Sequence, residues 1–177
     1  MLDPAQLFNQ ALTALERGNR ALAVDRLERV LEARPDDCEA AVVLAKTVRE
    51  DGDLSQAETI LVGAIKAAAA SPADPIEAYL ELADVRLALG KPGDAARAVK
   101  RVLAAEPNNW EALYLLGNAF VDVGALAEAE NAYRQAIATN PFDAEVWFNL
   151  AIVCERLGQV DAAAEAHAMH ERLATGQ

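Results

Sequence analysis

At 177 residues, 53% hydrophobic yet only 5% aromatic, the chain is long enough to bury a core of its own and draws much of its apolar content from alanine, which favours closely packed helices over strands. A balance of 16 basic against 28 acidic residues leaves a net charge of -12, so phosphate backbones and anionic lipid surfaces are poor partners. The start, Met1-Leu2-Asp3-Pro4, lacks the basic region and apolar run of a secretion signal, and no apolar run reaches the roughly 18 residues that a membrane helix needs.

The first predicted helix pair turns at Gly18, and that glycine returns as Gly52, Gly90, Gly124 and Gly158, at spacings of 34, 38, 34 and 34 residues. An alanine follows each five residues later (Ala23, Ala57, Ala95, Ala129, Ala163), and a small residue precedes each by seven (Ala11, Ala45, Ala83, Gly117, Ala151). Pro35, Pro107 and Pro141 each stand 17 residues beyond a recurrent glycine, where a proline stops a helix. The blocks that follow are 4-37, 38-71, 76-109, 110-143 and 144-177, with four inserted residues at 72-75. Within each block apolar residues recur at helical spacing on both sides of the glycine, as in Trp110, Leu113, Leu116 and Phe120, then Leu126, Ala129, Tyr133, Ala136 and Ile137. Each repeat is therefore predicted to be two antiparallel helices, too small to hold alone and obliged to stack on its neighbours. Gly117 is expected to be a packing contact, where a side chain larger than a methyl would hold two helices apart.

Leu116-Gly117, Phe120, Gly124, Ala129, Tyr133, Ala136 and Pro141 resemble the small-and-large pattern of the tetratricopeptide repeat family, and the resemblance runs from residue 4 to 177. Gln10, Arg20, Pro92 and the early Trp110 depart from the pattern locally. The resemblance implies an all-α fold, a right-handed superhelical solenoid of five helix pairs in one domain, whose first helices line a concave groove for partner polypeptides. The stretch AAAASPADP at 67-75 carries the insertion, either as one more turn on the second helix or as a looped connector; four alanines running up to Ser71 favour the turn.

Residues expected to face the groove are Phe8, Leu12 and Leu15 in the first repeat, Val42, Lys46 and Arg49 in the second, and Leu80, Asp84 and Leu87 in the third. Tyr114, Asn118 and Val121 follow in the fourth and Phe148, Ile152 and Glu155 in the fifth. Phe8, Val42, Leu80, Tyr114 and Phe148 make an apolar ladder, either partly buried by neighbouring helices or open to a partner. Glu39, Glu77, Glu111 and Glu145 run beside it, carboxylates that the helix dipole favours in any protein but that also suit an amphipathic, basic protein segment. Co-chaperones of the family carry a clamp of basic residues and asparagines for terminal carboxylates. Asn118 and Asn149 could supply the asparagines, but Tyr114 stands where the first lysine belongs, and the first three repeats offer Phe8, Val43 and Glu77 or Glu81 at the clamp positions.

Chemistry finds little footing. Ser55 and Ser71 are the only serines and lie at turns, and Gly90-Lys91-Pro92-Gly93 lacks the spacing of a phosphate loop, so no catalytic residue and no cofactor is expected. His167 and His170 could approach a metal with Glu165 or Glu171, but they replace apolar residues on the last helix and read better as a polar end face, so no metal site is assigned. Cys38 and Cys154 have no metal or redox spacing and suit reduced thiols of a cytoplasmic protein, whether whole or excised from a longer chain. The expected function is a non-catalytic scaffold or adaptor for a protein or peptide segment, with no nucleic acid and no membrane insertion. The alternatives are a homo-oligomeric assembly module and the repeat region of a larger enzyme or regulator.

Overall fold

The computed structural model describes residues 3-70 and 75-176. Among these residues there are ten α-helices and no strand: α1 (Pro4–Glu16), α2 (Arg20–Ala33), α3 (Cys38–Glu50), α4 (Leu54–Ala67), α5 (Ile76–Ala88), α6 (Pro92–Ala105), α7 (Trp110–Asp122), α8 (Leu126–Thr139), α9 (Ala144–Arg156) and α10 (Val160–Thr175). Local chemistry sets both ends of these helices. The side chains of Asn19, Asp37, Asp53, Asn109 and Asp143 each accept a backbone N–H of the first turn of the helix that follows, while Pro4 and Pro92 open α1 and α6, where no N–H is needed. α2, α6 and α8 stop two residues before Pro35, Pro107 and Pro141. Between paired helices the chain turns through left-handed glycines such as Gly52 (φ 90°) and Gly124 (φ 78°), a conformation that a side chain at Cβ resists.

α4 has the same 14 residues as α2, α6 and α8, so the additional turn favoured at this point is not α-helical. A 3-10 turn, Ala68–Ala70, follows it instead, with Ala68 buried. Ser71 to Asp74, the heart of the predicted insertion, lie outside the described residues.

The helices gather into two compact units, Met1–Leu89 and Gly90–Gln177. In the first, α1 pairs with α2 and α3 with α4, and α5 lies against both α3 and α4. Its interior is alanine and aliphatic: Ala11, Ala23, Leu27, Val30, Ala45, Ala57 and Leu61 are all fully buried. In the second, α6 lies against α7, and the pairs α7–α8 and α9–α10 meet through α8 and α9. Tyr133, Val146, Leu150, Val153 and Cys154 form the heart of that core, with Trp110, Phe120 and Trp147 packed against it. Gly117 explains itself here. A Cβ at that position would lie 2.6 Å from Cδ1 and 2.9 Å from Cζ of Tyr133, so even a methyl is excluded, a tighter limit than the sequence alone implies.

Polar ties hold successive repeats in register. In the second unit Glu130 accepts from Gln159 Nε2 and from Arg134 Nε, each at 2.9 Å. Burial opposes the charge on this carboxyl, but the two bonds outweigh it and hold its pKa below the usual range. A depressed carboxylate contributes stability above its unfolded-state pKa and loses it as pH falls through the folded value. Glu130→Gln is therefore expected to be less stable than wild type in urea melts at pH 7, with the gap closing below about pH 4; an equal gap at pH 3 would refute the assignment.

Candidate interaction surface on the first helices

In the first unit the predicted face divides into an apolar floor and an ion-pair network. Val42 and Leu80 are buried, 8% and 3% exposed, because α3 and α5 touch directly; they underlie the surface instead of standing on it. Phe8, Leu15 and Leu87 are half-buried, and Leu12 is 37% exposed. Lys46, Arg49 and Asp84 form an ion-pair network with Glu81: Arg49 Nε lies 3.2 Å from Glu81 Oε1, its Nη1 contacts Asp84 Oδ2, and Lys46 Nζ lies 3.8 Å from Glu81 Oε2. Two cations of α3 thus clasp a carboxylate of α5 that is 6% exposed. Near the starts of the same two helices a cleft of about 340 Å³ opens, where Val42, Val43 and Ile76 sit between Glu39 and Glu77. Both glutamates are exposed. Cys38 lies in this cleft too, its thiol pKa raised by burial and by the carboxylates of Asp37 and Asp36, so it is poorly nucleophilic.

The second unit carries a compact polar cluster. Tyr114 Oη donates to Glu145 Oε1 at 2.7 Å and accepts from Asn149 Nδ2 at 3.3 Å, so α7 is tied to α9. Asn118 Oδ1 accepts from Tyr133 Oη at 2.6 Å and from Asn149 Nδ2 at 3.4 Å. The rings of Tyr114 and Tyr133 lie 6.1 Å apart. Burial, aided by the bond to Glu145, pushes the Tyr114 hydroxyl up to about 12, so it remains a donor throughout the physiological range; the buried Tyr133 shifts the same way. Val121 and Ile152 are half-buried beside the cluster. Phe148 is 40% exposed and backed by two imidazoles, His167 at 6.4 Å and His170 at 5.1 Å between ring centroids. His167 pairs with Glu155 at 2.9 Å and His170 Nδ1 meets the carbonyl of Ala144 at 2.9 Å, so the two rings turn to different partners.

Phe8, Leu12, Tyr114, Asn118 and Phe148 lie at accessible or half-accessible positions, while Glu81, read from the sequence only as a clamp position, is the partner of Arg49. A signal existed: Arg49 and Glu81, Tyr114 and Glu145, and Asn118 and Asn149 are complementary groups separated by nearly one repeat.

Paired helices of 13 to 16 residues, turned at left-handed glycines and tied together across repeats, define a helical-repeat protein. Models of the tetratricopeptide repeat family match residues 14–74, 80–130 and 114–176. The chain belongs to the tetratricopeptide repeat family. Among curated proteins it is 29% identical over 107 residues to the CTR9 homolog of Arabidopsis thaliana, a match covering 60% of this chain and 10% of that protein. The chain thus spans about a tenth of that relative's length. Among solved structures it resembles MamA of Desulfovibrio magneticus RS-1 (TM-score 0.83, 24% identity, 100% of this chain and 98% of the other). It also resembles YrrB, described as a TPR protein with an unusual peptide-binding site (TM-score 0.73, 17% identity, 97% and 86%). These likenesses establish the fold. Among the described residues no helix is long and apolar enough to cross a membrane.

Proposed function

We propose that the chain is a non-catalytic scaffold that docks an amphipathic, basic protein segment on the faces of its first helices. The observation that carries this reading is the cleft between α3 and α5, where Glu39 and Glu77 flank an apolar floor. A helical or extended segment with apolar residues on one side and Lys or Arg on the other matches that chemistry. The second unit supports it. Its first helices, α7 and α9, carry Glu111, Asp122, Glu145 and Glu155 against Arg156, with Tyr114 and Phe148 as aromatic anchors and the amides of Asn118 and Asn149 able to meet a main chain. Family membership supports protein interaction over catalysis.

The test is a titration with two synthetic peptides of one amphipathic pattern, one bearing lysines and one bearing glutamates. Only the lysine peptide is expected to bind, and more weakly as salt rises. Tyr114→Ala with Phe148→Ala should weaken it about tenfold, the scale of losing apolar contact worth roughly 1.4 kcal/mol, with helix content by circular dichroism unchanged. Glu39→Lys with Glu77→Lys should reverse the preference between the peptides. Equal binding of both peptides, or unchanged affinity in both variants, would reject the reading.

A further inference from the structure

Among the ten helices, α6 alone carries an excess of positive charge: Arg97, Lys100 and Arg101 against the single acid Asp94. Every other helix is neutral or negative, in a chain of net charge -12. Spaced at i, i+3 and i+4, the three cations share one side of the helix, opposite the buried Ala95, Ala98, Val99 and Val102. All three are exposed, and the exposed Gly93 and Ala104 continue the same side without a bulky side chain. Arg97 Nη2 contacts Asp94 Oδ1, yet the arginine side chain remains 73% exposed.

Folding does not account for this patch. Like charges three and four residues apart work against a helix, and none of the three lies in the last turn, where the helix dipole would favour a cation. The buried face of α6 is alanine and valine, so the charged side adds nothing to the core. What the patch supplies is recognition of carboxylates: each guanidinium offers planar, paired donors and the ammonium a mobile point charge.

The size of the patch decides the class of anion. Arg97 to Arg101 span roughly 6 Å along the axis, less than the screening length of about 8 Å at physiological salt. A short anion placed there feels the three cations before it feels the charge of the whole chain. A long polyanion runs past them onto Glu106 and the acidic helices α7 and α8. We propose that this face of α6 binds a short acidic protein segment. The site stands without the first-helix reading; joined to that reading, it lets one chain hold a basic segment on its first helices and an acidic one on a second helix, bridging two unlike partners.

Fluorescence anisotropy tests this with two labelled peptides of one length, carrying glutamates or glutamines at the same places. The glutamate peptide is expected to bind, more weakly as salt rises, and the glutamine peptide to stay unbound up to about 1 mM. Lys100→Gln with Arg101→Gln should weaken binding about fivefold, and Lys100→Glu with Arg101→Glu should abolish it, with helix content by circular dichroism unchanged. The glutamine variant decides alone should the charge reversal unfold. Lys66→Gln with Arg172→Gln removes the same charge from exposed positions elsewhere and should leave the affinity within about twofold of wild type. Tyr114→Ala with Phe148→Ala should not change it either, so a failed lysine-peptide titration counts against the first-helix reading alone. A thymidine oligonucleotide and phosphatidylserine vesicles supply the other anions, and both are expected to bind more weakly than the glutamate peptide. Equal binding of the two peptides, α6 variants that bind like wild type, an equal loss from Lys66→Gln with Arg172→Gln, or tighter binding of oligonucleotide or vesicles would each overturn the proposal.

Discussion

Gly117→Ala is expected to destabilise the second unit by about 2 kcal/mol. Forcing a methyl into a filled core costs roughly 1–3 kcal/mol, and a Cβ only 2.6 Å from the Tyr133 ring puts this site at the upper end, about 3 kcal/mol, from which the exchange of Gly for Ala inside a helix returns about 1 kcal/mol. The steric term wins because Tyr133 cannot step aside: its ring is 1% exposed and its hydroxyl is held by Asn118 at 2.6 Å. In a protein of this size the loss corresponds to a melting temperature lowered by roughly 4–8 °C. The first and second repeats show the way back, since the corresponding slots hold Ala11 with Leu27 and Ala45 with Leu61. Tyr133→Leu on the Gly117→Ala background should recover part of the loss, although Tyr133→Leu alone removes ring packing and the bond to Asn118. A double variant no more stable than Gly117→Ala, in thermal or urea melts, would show that Gly117 serves some other purpose.

Arg49→Met should cost the first unit a comparable amount, for an electrostatic reason. Removing one partner of a buried ion pair strands the other charge and typically costs about 3–5 kcal/mol. Lys46 Nζ, 3.8 Å from Glu81 Oε2, stays in place and relieves part of the penalty, which brings the expected loss to about 2 kcal/mol. Removing the stranded carboxylate as well, in Arg49→Met with Glu81→Met, should restore most of the stability, because an apolar pair of similar volume replaces a buried ionic one and the charges left, Lys46 and Asp84, reach water. Urea melts of the wild type, the single and the double variant decide it: a single variant as stable as wild type, or a double variant worse than the single, removes the clasp from the account of stability.

These two sites also mark how far the amino-acid sequence can be read. Helix pairs and their limits were legible because they rest on local rules: a glycine for each left-handed turn, a proline just past a helix, a short polar side chain at a cap, and an apolar stripe at helical spacing. The first helix of each pair starts at Pro4, Cys38, Ile76, Trp110 or Ala144. Exposure along the first helices was less legible, since it depends on how near neighbouring helices come. Val42 and Leu80 occupy the same register as Tyr114 and Phe148, yet direct contact of α3 with α5 buries them, and no spacing rule contains that distance. Charges showed a similar gap. Lys46, Arg49 and Asp84 were visible as polar groups on a face, but Glu81 became meaningful only when a second helix brought it to Arg49. The 3-10 turn at Ala68–Ala70 was hidden for a different reason: alanine fits either winding, so four in a row signal helicity without selecting its pitch.

Both tryptophans of the chain, Trp110 and Trp147, pack against the core of the second unit, and Trp147 is anchored by its indole N–H to the Pro141 carbonyl. Excitation at the red edge of the indole band consequently interrogates Gly90–Gln177 alone, while Met1–Leu89 stays dark. Far-ultraviolet ellipticity, by contrast, sums over every helix. Emission and ellipticity midpoints that coincide would mean that the halves melt as one cooperative body, and midpoints that separate would report, without any label, which half yields first.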